Sequence, residues 1–241
     1  MAIPEQAAKK SDWAAAAESH VHRQPVIRLV PPRIELRSRE PATVSTGYRL
    51  AKRCFDLAAA LVLFVLFVPV LLIAVIAIRF ESRGPVLFRQ WRLGLNGKPF
   101  RILKLRTLTV VEDGAVTQVT RNDPRLTRAG RILRKLSIDE LPQLINVVRG
   151  EMSLVGPRPH AIAHDHYYAA RIDDYEQRQR VKPGITGWAQ IHGFRGETAA
   201  LEDMRRRVYL DRWYVRHAGF LLDLRILFAT PGAVLRGRNA W

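Results

Sequence analysis

The chain has 241 residues, enough for one or two domains, and 48% of them are hydrophobic, so a sizeable core is within reach. A formal net charge of +17 is extreme for this length and implies a polyanionic partner: nucleic acid, an anionic membrane surface or phosphorylated substrates. The single cysteine, Cys54, excludes an internal disulfide framework and any CxxC metal site, and fits a reducing cytoplasmic setting.

Residues 1–46 hold AAAA, PPR and scattered charges without sustained periodicity, which predicts a disordered N-terminal tail. No apolar core follows its first basic residues, so it does not read as a signal peptide. Residues 57–78, LAAALVLFVLFVPVLLIAVIAI, then run for 22 positions without a charge. A straight helix of that length covers about 33 Å, enough to cross a bilayer core. Length alone predicts a single span. Pro69 and the two basic flanks, Lys52 and Arg53 before and Arg79 and Arg83 after, favour a helix over 47–82 that breaks at Pro69, dips into one leaflet and returns. Residues 79–241 carry 29 basic against 16 acidic groups, which predicts a cytoplasmic position for this block.

VLFRQWR (86–92) and PFRILKLRT (99–107) flank the turn residues GLNG and predict a β-hairpin. Residues 108–124 read as a loop. Helical spacing follows over 127–136 and 138–148, with Gly150 as a stop. GPRP (156–159) is irregular, 160–180 a polar helix, and 183–196 a Gly-rich loop carrying Trp188 and His192. Residues 198–217 form a basic helix. Residues 219–236 are amphipathic, and either lie in a membrane interface or pack their apolar stripe on the core. The predicted fold class is therefore α+β and mainly helical: a monotopic membrane protein with a Pro-broken re-entrant helix, a small hairpin and amphipathic interfacial helices.

Within this basic chain, SIDELPQL (137–144) sets Asp139 beside Glu140. Ser137 to Glu140 fits the S-x-x-E capping box, which would make Glu140 only a helix start. Pro142 is awkward in that register, and a start at 139 or 140 suits it better. Either way the acids sit in a first helical turn, where the helix dipole and nearby arginines predict two anions at neutral pH. Lys104 and Arg106 end the second strand, Arg134 precedes Asp139, and Arg158 lies between two prolines. Guanidinium groups converging on a carboxylate pair make a site for a diphosphate and a divalent cation, since arginine grips phosphate oxygens bidentately and magnesium takes one or two carboxylates plus substrate phosphates. His160, His164 and His166 lack the spacing of a third ligand and read as supporting or surface histidines. Arg205–Arg207 read as a solvated face on anionic membrane lipids.

KRCFD (52–56), the Pro-broken apolar segment, GPVLFRQWRLGLNGKPFRILKLRT, SIDELPQLINVVRGEMSLVGPRP and VKPGITGWAQIHGFRGET together resemble the bacterial sugar transferase family, over about residues 48–241. The resemblance implies a monotopic enzyme of the bacterial inner membrane, with residues 83–241 as its cytoplasmic catalytic domain. It implies transfer of a sugar 1-phosphate from a UDP-sugar to undecaprenyl phosphate, with Asp139 as nucleophile, Glu140 (with Asp139) on Mg2+, and Lys104, Arg106, Arg134 and Arg158 on phosphates. Its helix break is often Ser-Pro, whereas here it is Val68-Pro69. GFRGET resembles members that handle glucose or galactose. Trp188 and His192 are candidates to contact the nucleotide or sugar, and Trp188 equally for a core anchor. A nucleic-acid-binding protein and a silent membrane adaptor are the competing classes. The apolar segment and the lack of a base-reading motif count against the first, so no nucleic-acid partner is expected. Homo-oligomerisation stays open.

Overall fold

The computed structural model describes residues 45–109, 123–196 and 200–235. Residues 1–44 of the predicted tail, 110–122 of the 108–124 loop, 197–199 and the last six residues lie outside them.

Helix α1 covers Thr46–Glu81, a single run of 36 residues, with the Ser45 side chain capping its start by accepting from Tyr48 N. The run continues through Pro69, where the expected break is not an interruption of the helix. Pro69 has no N–H to offer the Val65 carbonyl, so one ladder bond is missing there. The helix has two unlike faces. Asp56, Ala60, Ala74 and Ile78 are buried, whereas Val62, Val65, Leu66 and Ile73 are largely exposed, Val65 by 71%. A contiguous outward apolar face of this length marks α1 as the membrane-associating element.

Both ends of α1 are fastened to the same body. Near the start, Arg53 donates to the Val147 and Val148 carbonyls at 2.6 and 2.8 Å. Asp56 accepts from Leu154 N, and Lys52 pairs with Asp223 at 2.7 Å. Near the finish, Ala74 and Ile78 pack with Leu105 and Leu133. Glu81 accepts from Arg128 N and Ala129 N at 2.6 and 2.8 Å, and so adds a second cap to the next helix from outside it.

Strands β1 (Leu87–Leu93) and β2 (Pro99–Leu105) form the expected antiparallel hairpin, with Trp91 opposite Arg101. Its turn works because Asn96 and Gly97 adopt positive φ. Helix α2 (Arg128–Leu136) is capped by the Thr127 hydroxyl, which accepts from Gly130 N. The chain then makes a 3-10 turn, Ile138–Glu140, before helix α3 (Gln143–Val148). A second sheet, β3 (Ser153–Val155) parallel to β4 (Gly184–Thr186), replaces part of the expected Gly-rich loop. Close approach explains why glycines stand there: a Cβ on Gly184 would meet Gly156 N at 2.1 Å. Helix α4 (Ile162–Ala169) and a 3-10 run (Tyr175–Arg180) divide what reads as one polar helix. The short α5 (Trp188–Ile191) leads to α6 (Leu201–His217) and α7 (Phe220–Leu235).

The main core gathers Phe100, Ile102, Leu144, Val147, Met152, Leu154, Val155, Tyr214 and Ile226 around Ala60 of α1. Helix α7 packs one side on the core and turns an apolar side outward. It buries Asp223 and Ile226, yet leaves Leu221 and Phe228 exposed.

Candidate active site

The acidic pair is positioned by a break rather than by a helix start. Ser137 takes a left-handed conformation (φ 59°) that ends α2, and its hydroxyl is buried without a partner. The expected capping box is therefore absent: no side-chain cap bond forms, and Asp139 and Glu140 lie in the 3-10 turn ahead of α3. Pro142, which has no N–H to place in a helix interior, opens α3 as its cap residue. The turn tucks both carboxylates inward, with Asp139 and Glu140 only 6% and 7% exposed.

Glu140 is clasped. Lys104 Nζ lies 2.8 Å from Oε1, and Arg158 donates Nη2 to Oε1 at 2.5 Å and Nη1 to Oε2 at 3.0 Å. Lys104 arrives on β2, held to α3 by Asn146, which accepts from Leu103 N and donates to the Arg101 carbonyl. Arg158 arrives on the loop between β3 and α4. Burial would raise the Glu140 carboxyl, but Arg158 and Lys104 overcome it and hold the group well below the carboxylate range.

Asp139 differs from its neighbour. No hydrogen bond or ion pair to its carboxylate is seen among the described residues. Burial first, then the charge of Glu140, pushes it up to about 6, against the pull of Lys104, Arg134 and Arg158. Desolvation thus outweighs the basic surroundings at Asp139, although a value of about 6 still leaves both acids mainly anionic at neutral pH, as expected. Arg134 stays close enough to influence both acids while its Nε donates to the Thr107 hydroxyl.

Arg106 is placed elsewhere. Its guanidinium donates to the Ser82 and Arg83 carbonyls at 2.7 and 2.5 Å, where it ties down the exit of α1. Trp188 stacks between His192 and Trp213, with ring centroids 4.3 and 4.7 Å away, and packs against the core. Neither Trp188 nor His192 lines the cavity that reaches Glu140.

Sequence reasoning missed Arg195. Its Nη1 is buried without a partner, and it lines the same cavity as Glu140. Its presence in GFRGET was the available signal. Also missed was Arg178, at the centre of a buried network. It donates to Asp211 Oδ2 from Nε and Nη2 at 3.1 and 2.8 Å, to the Arg158 carbonyl at 2.5 Å, and lies 2.8 Å from His160 Nδ1. Tyr175 donates to Asp165 at 2.7 Å in the same network. His160 thus has a supporting place, and burial with the Arg178 and Arg207 charges keeps it neutral. No cluster of three or more His, Cys, Asp or Glu side chains able to hold a metal occurs among the described residues.

The cavity has a volume of about 630 Å3. Phe55, Ala59, Leu63 and Phe67 of α1 and Leu227 and Phe228 of α7 give it apolar walls, while Glu140 and Arg195 supply its polar end. A buried carboxylate pair, with Glu140 clasped by cations at the edge of an apolar cavity walled by the membrane-associating helix, defines the class: a membrane-associated protein with a charged site beside an apolar pocket.

The chain belongs to the bacterial sugar transferase family, whose profile matches residues 47–237. It is 54% identical over 193 residues to the UDP-glucose:undecaprenyl-phosphate glucose-1-phosphate transferase of Caulobacter vibrioides, covering 80% of this chain and 72% of that one. It is 51% identical over 183 residues to the protein of the same name from Escherichia coli K12, covering 76% and 39%. It is 47% identical over 225 residues to the undecaprenyl-phosphate glucose phosphotransferase of Komagataeibacter xylinus, covering 91% and 42%. The chain therefore matches only about two-fifths of the length of the latter two relatives.

Proposed function

We propose that the chain is a phosphoglycosyl transferase that moves a hexose 1-phosphate from a UDP-sugar to undecaprenyl phosphate, an opening membrane step of exopolysaccharide synthesis. The names of the relatives favour glucose as the hexose. The observation that carries this reading is the asymmetry of the pair: Glu140 is gripped by Lys104 and Arg158, whereas Asp139 beside it is buried and unpaired. An unpaired, desolvated carboxylate is the better nucleophile.

In the first step an Asp139 oxygen attacks the sugar-bearing phosphorus. The new O–P bond forms as the bond from that phosphorus to the bridging oxygen breaks, and UMP leaves with the electron pair. In the second step a phosphate oxygen of undecaprenyl phosphate attacks the same phosphorus and displaces Asp139, which regains its charge. Arg158, Lys104, Arg134 and Arg195 stabilise charge on the phosphates through both steps. The acceptor's isoprenoid chain lies in the apolar cavity, its phosphate towards Arg195.

The acidic pair suits magnesium as a partial donor set. Asp139 is unpaired, and Glu140 Oε2 accepts a single hydrogen bond, so a lone pair remains. Bound there with the donor's phosphates, magnesium would neutralise diphosphate charge. The fastening of both ends of α1 to one body supports a membrane segment over 47–82 that enters and leaves on the cytoplasmic face, with 83–241 as the catalytic part at the inner membrane.

Mass spectrometry of protein trapped with UDP-glucose alone tests the proposal. The expected result is a hexose-phosphate adduct on Asp139 with one UMP released per adduct. Active turnover with no adduct overturns the covalent route.

A further inference from the structure

The apolar cavity and the acidic pair belong to the site already described. A separate recess of about 220 Å3 lies at the foot of α1. Five cations line it: Arg49, Lys52 and Arg53 from the first turns of α1, and Arg180 and Lys182 from the approach to β4. A single carboxylate, Asp56, faces them, and it is 3% exposed and accepts a backbone hydrogen bond from Leu154.

Neighbouring groups cancel only part of this charge. Lys52 is balanced by Asp223 at 2.7 Å. Arg53 donates to two carbonyls, which satisfy its hydrogens but leave its charge. No ion pair to Arg49 or Lys182 is seen among the described residues. Partial burial, together with the charges of Arg53 and Lys52, lowers the pKa of Lys182. Like charges gathered in a half-buried recess repel one another unless an anion occupies it.

We infer that this recess binds a phosphate group, and that the membrane supplies it as the headgroup of an anionic phospholipid. Its depth along α1 favours that source. Arg49, Lys52 and Arg53 stand directly before the charge-free run that begins at Leu57. Phe220, exposed at the start of α7, meets Phe55 edge-on at 5.3 Å on the same stretch of α1. A basic recess beside a membrane helix, at the level where the apolar run begins, matches phosphate headgroups in height and charge. The site is not the donor site: neither Asp139, Glu140, Lys104 nor Arg158 lines it. The inference rests on the membrane placement of α1 and is independent of the transferase chemistry.

The test uses the full chain in nanodiscs of phosphatidylcholine alone or mixed equally with phosphatidylglycerol. Lipids retained on the protein are counted by native mass spectrometry. The variant is Arg49→Gln with Lys182→Gln, which removes two cations that hold no seen ion pair. Its thermal transition in phosphatidylcholine reports that it folds. The expected result is one phosphatidylglycerol retained by the unaltered protein and a loss of about ten-fold or more in the variant. Inorganic phosphate added to the phosphatidylcholine sample separates the sources. If phosphate raises the thermal transition of the unaltered protein but not of the variant, the phosphate site stands with a soluble ligand. Equal retention by both proteins with no response to phosphate in either overturns the inference. Because activity is not the readout, its failure leaves the transferase reading intact.

Discussion

Arg158 grips both carboxylate oxygens of Glu140, Nη2 at 2.5 Å from Oε1 and Nη1 at 3.0 Å from Oε2. The fork is aimed from behind, because Arg178 holds the Arg158 backbone carbonyl while itself pinned by Asp211. A lysine at 158 keeps the charge and loses the fork. Arg158→Lys is therefore expected to lower sugar-lipid formation by about 100-fold with the fold retained, as read by radiolabelled transfer and circular dichroism.

Asp139 carries a cost that its neighbour does not. It is buried and unpaired, so replacing it by a neutral isostere relieves desolvation. Asp139→Asn is expected to abolish UMP release while raising the thermal transition, the trade-off seen where a strained group serves activity. Glu140→Gln acts in the opposite direction on stability. It strands Lys104 and Arg158 without their anion and is expected to cost about 3 kcal/mol in denaturant unfolding.

On the proposed two-step route, the apolar cavity should matter to the acceptor step and not to the donor step. Leu63→Trp projects bulk into its α1 wall. UMP release in a single donor-only turnover should stay near normal, while transfer to undecaprenyl phosphate falls about ten-fold or more. Equal loss in both assays would remove the acceptor chain from the cavity.

Asp165 gives stability a pH dependence. Burial raises it to about 6, against Arg178, the Tyr175 hydroxyl, Arg92 and His166, while His160 stays neutral nearby. The folded state thus holds its proton more tightly than the unfolded chain does. That advantage is complete below the ordinary carboxylate value and is lost as pH rises through about 6. Thermal transitions measured across this range should fall with rising pH. Asp165→Asn should reduce the slope, with Asp139 contributing the remainder over the same range.

Epitope tags before residue 45 and after residue 241 should both be protected in inside-in vesicles and both be exposed when the cytoplasmic face is outward. Opposite accessibility would establish a straight span through the bilayer.

Much of this was legible because it rests on short-range pattern. The hairpin follows from alternation around GLNG, and α1 from a 22-residue run without a charge, although the helix does not stop at Pro69 as expected. Lys104, Arg134 and Arg158 were legible as cations near the pair because their motifs are ordered along the chain. The misreadings arise where distant contacts decide. Ser137 to Glu140 has the letters of a capping box, yet Ser137 closes α2 in a left-handed conformation and makes no side-chain cap to the turn that follows. Arg106 looks like a phosphate ligand until α1 is seen to end against it. The β3–β4 pair is invisible to periodicity, since strands of three residues are too short to show any. Arg178 is one arginine among many, and only burial distinguishes it.

The inner face of α1 has a consequence for how the molecule comes into being. Ala60, Ala74 and Ile78 complete cores that the remainder of the chain only half encloses. The anchor is also structural timber: a fragment trimmed to begin after residue 82 would open its hydrophobic interior to water along one whole side. A catalytic body without α1 is therefore expected to be unstable, so that docking of α1 is part of its folding.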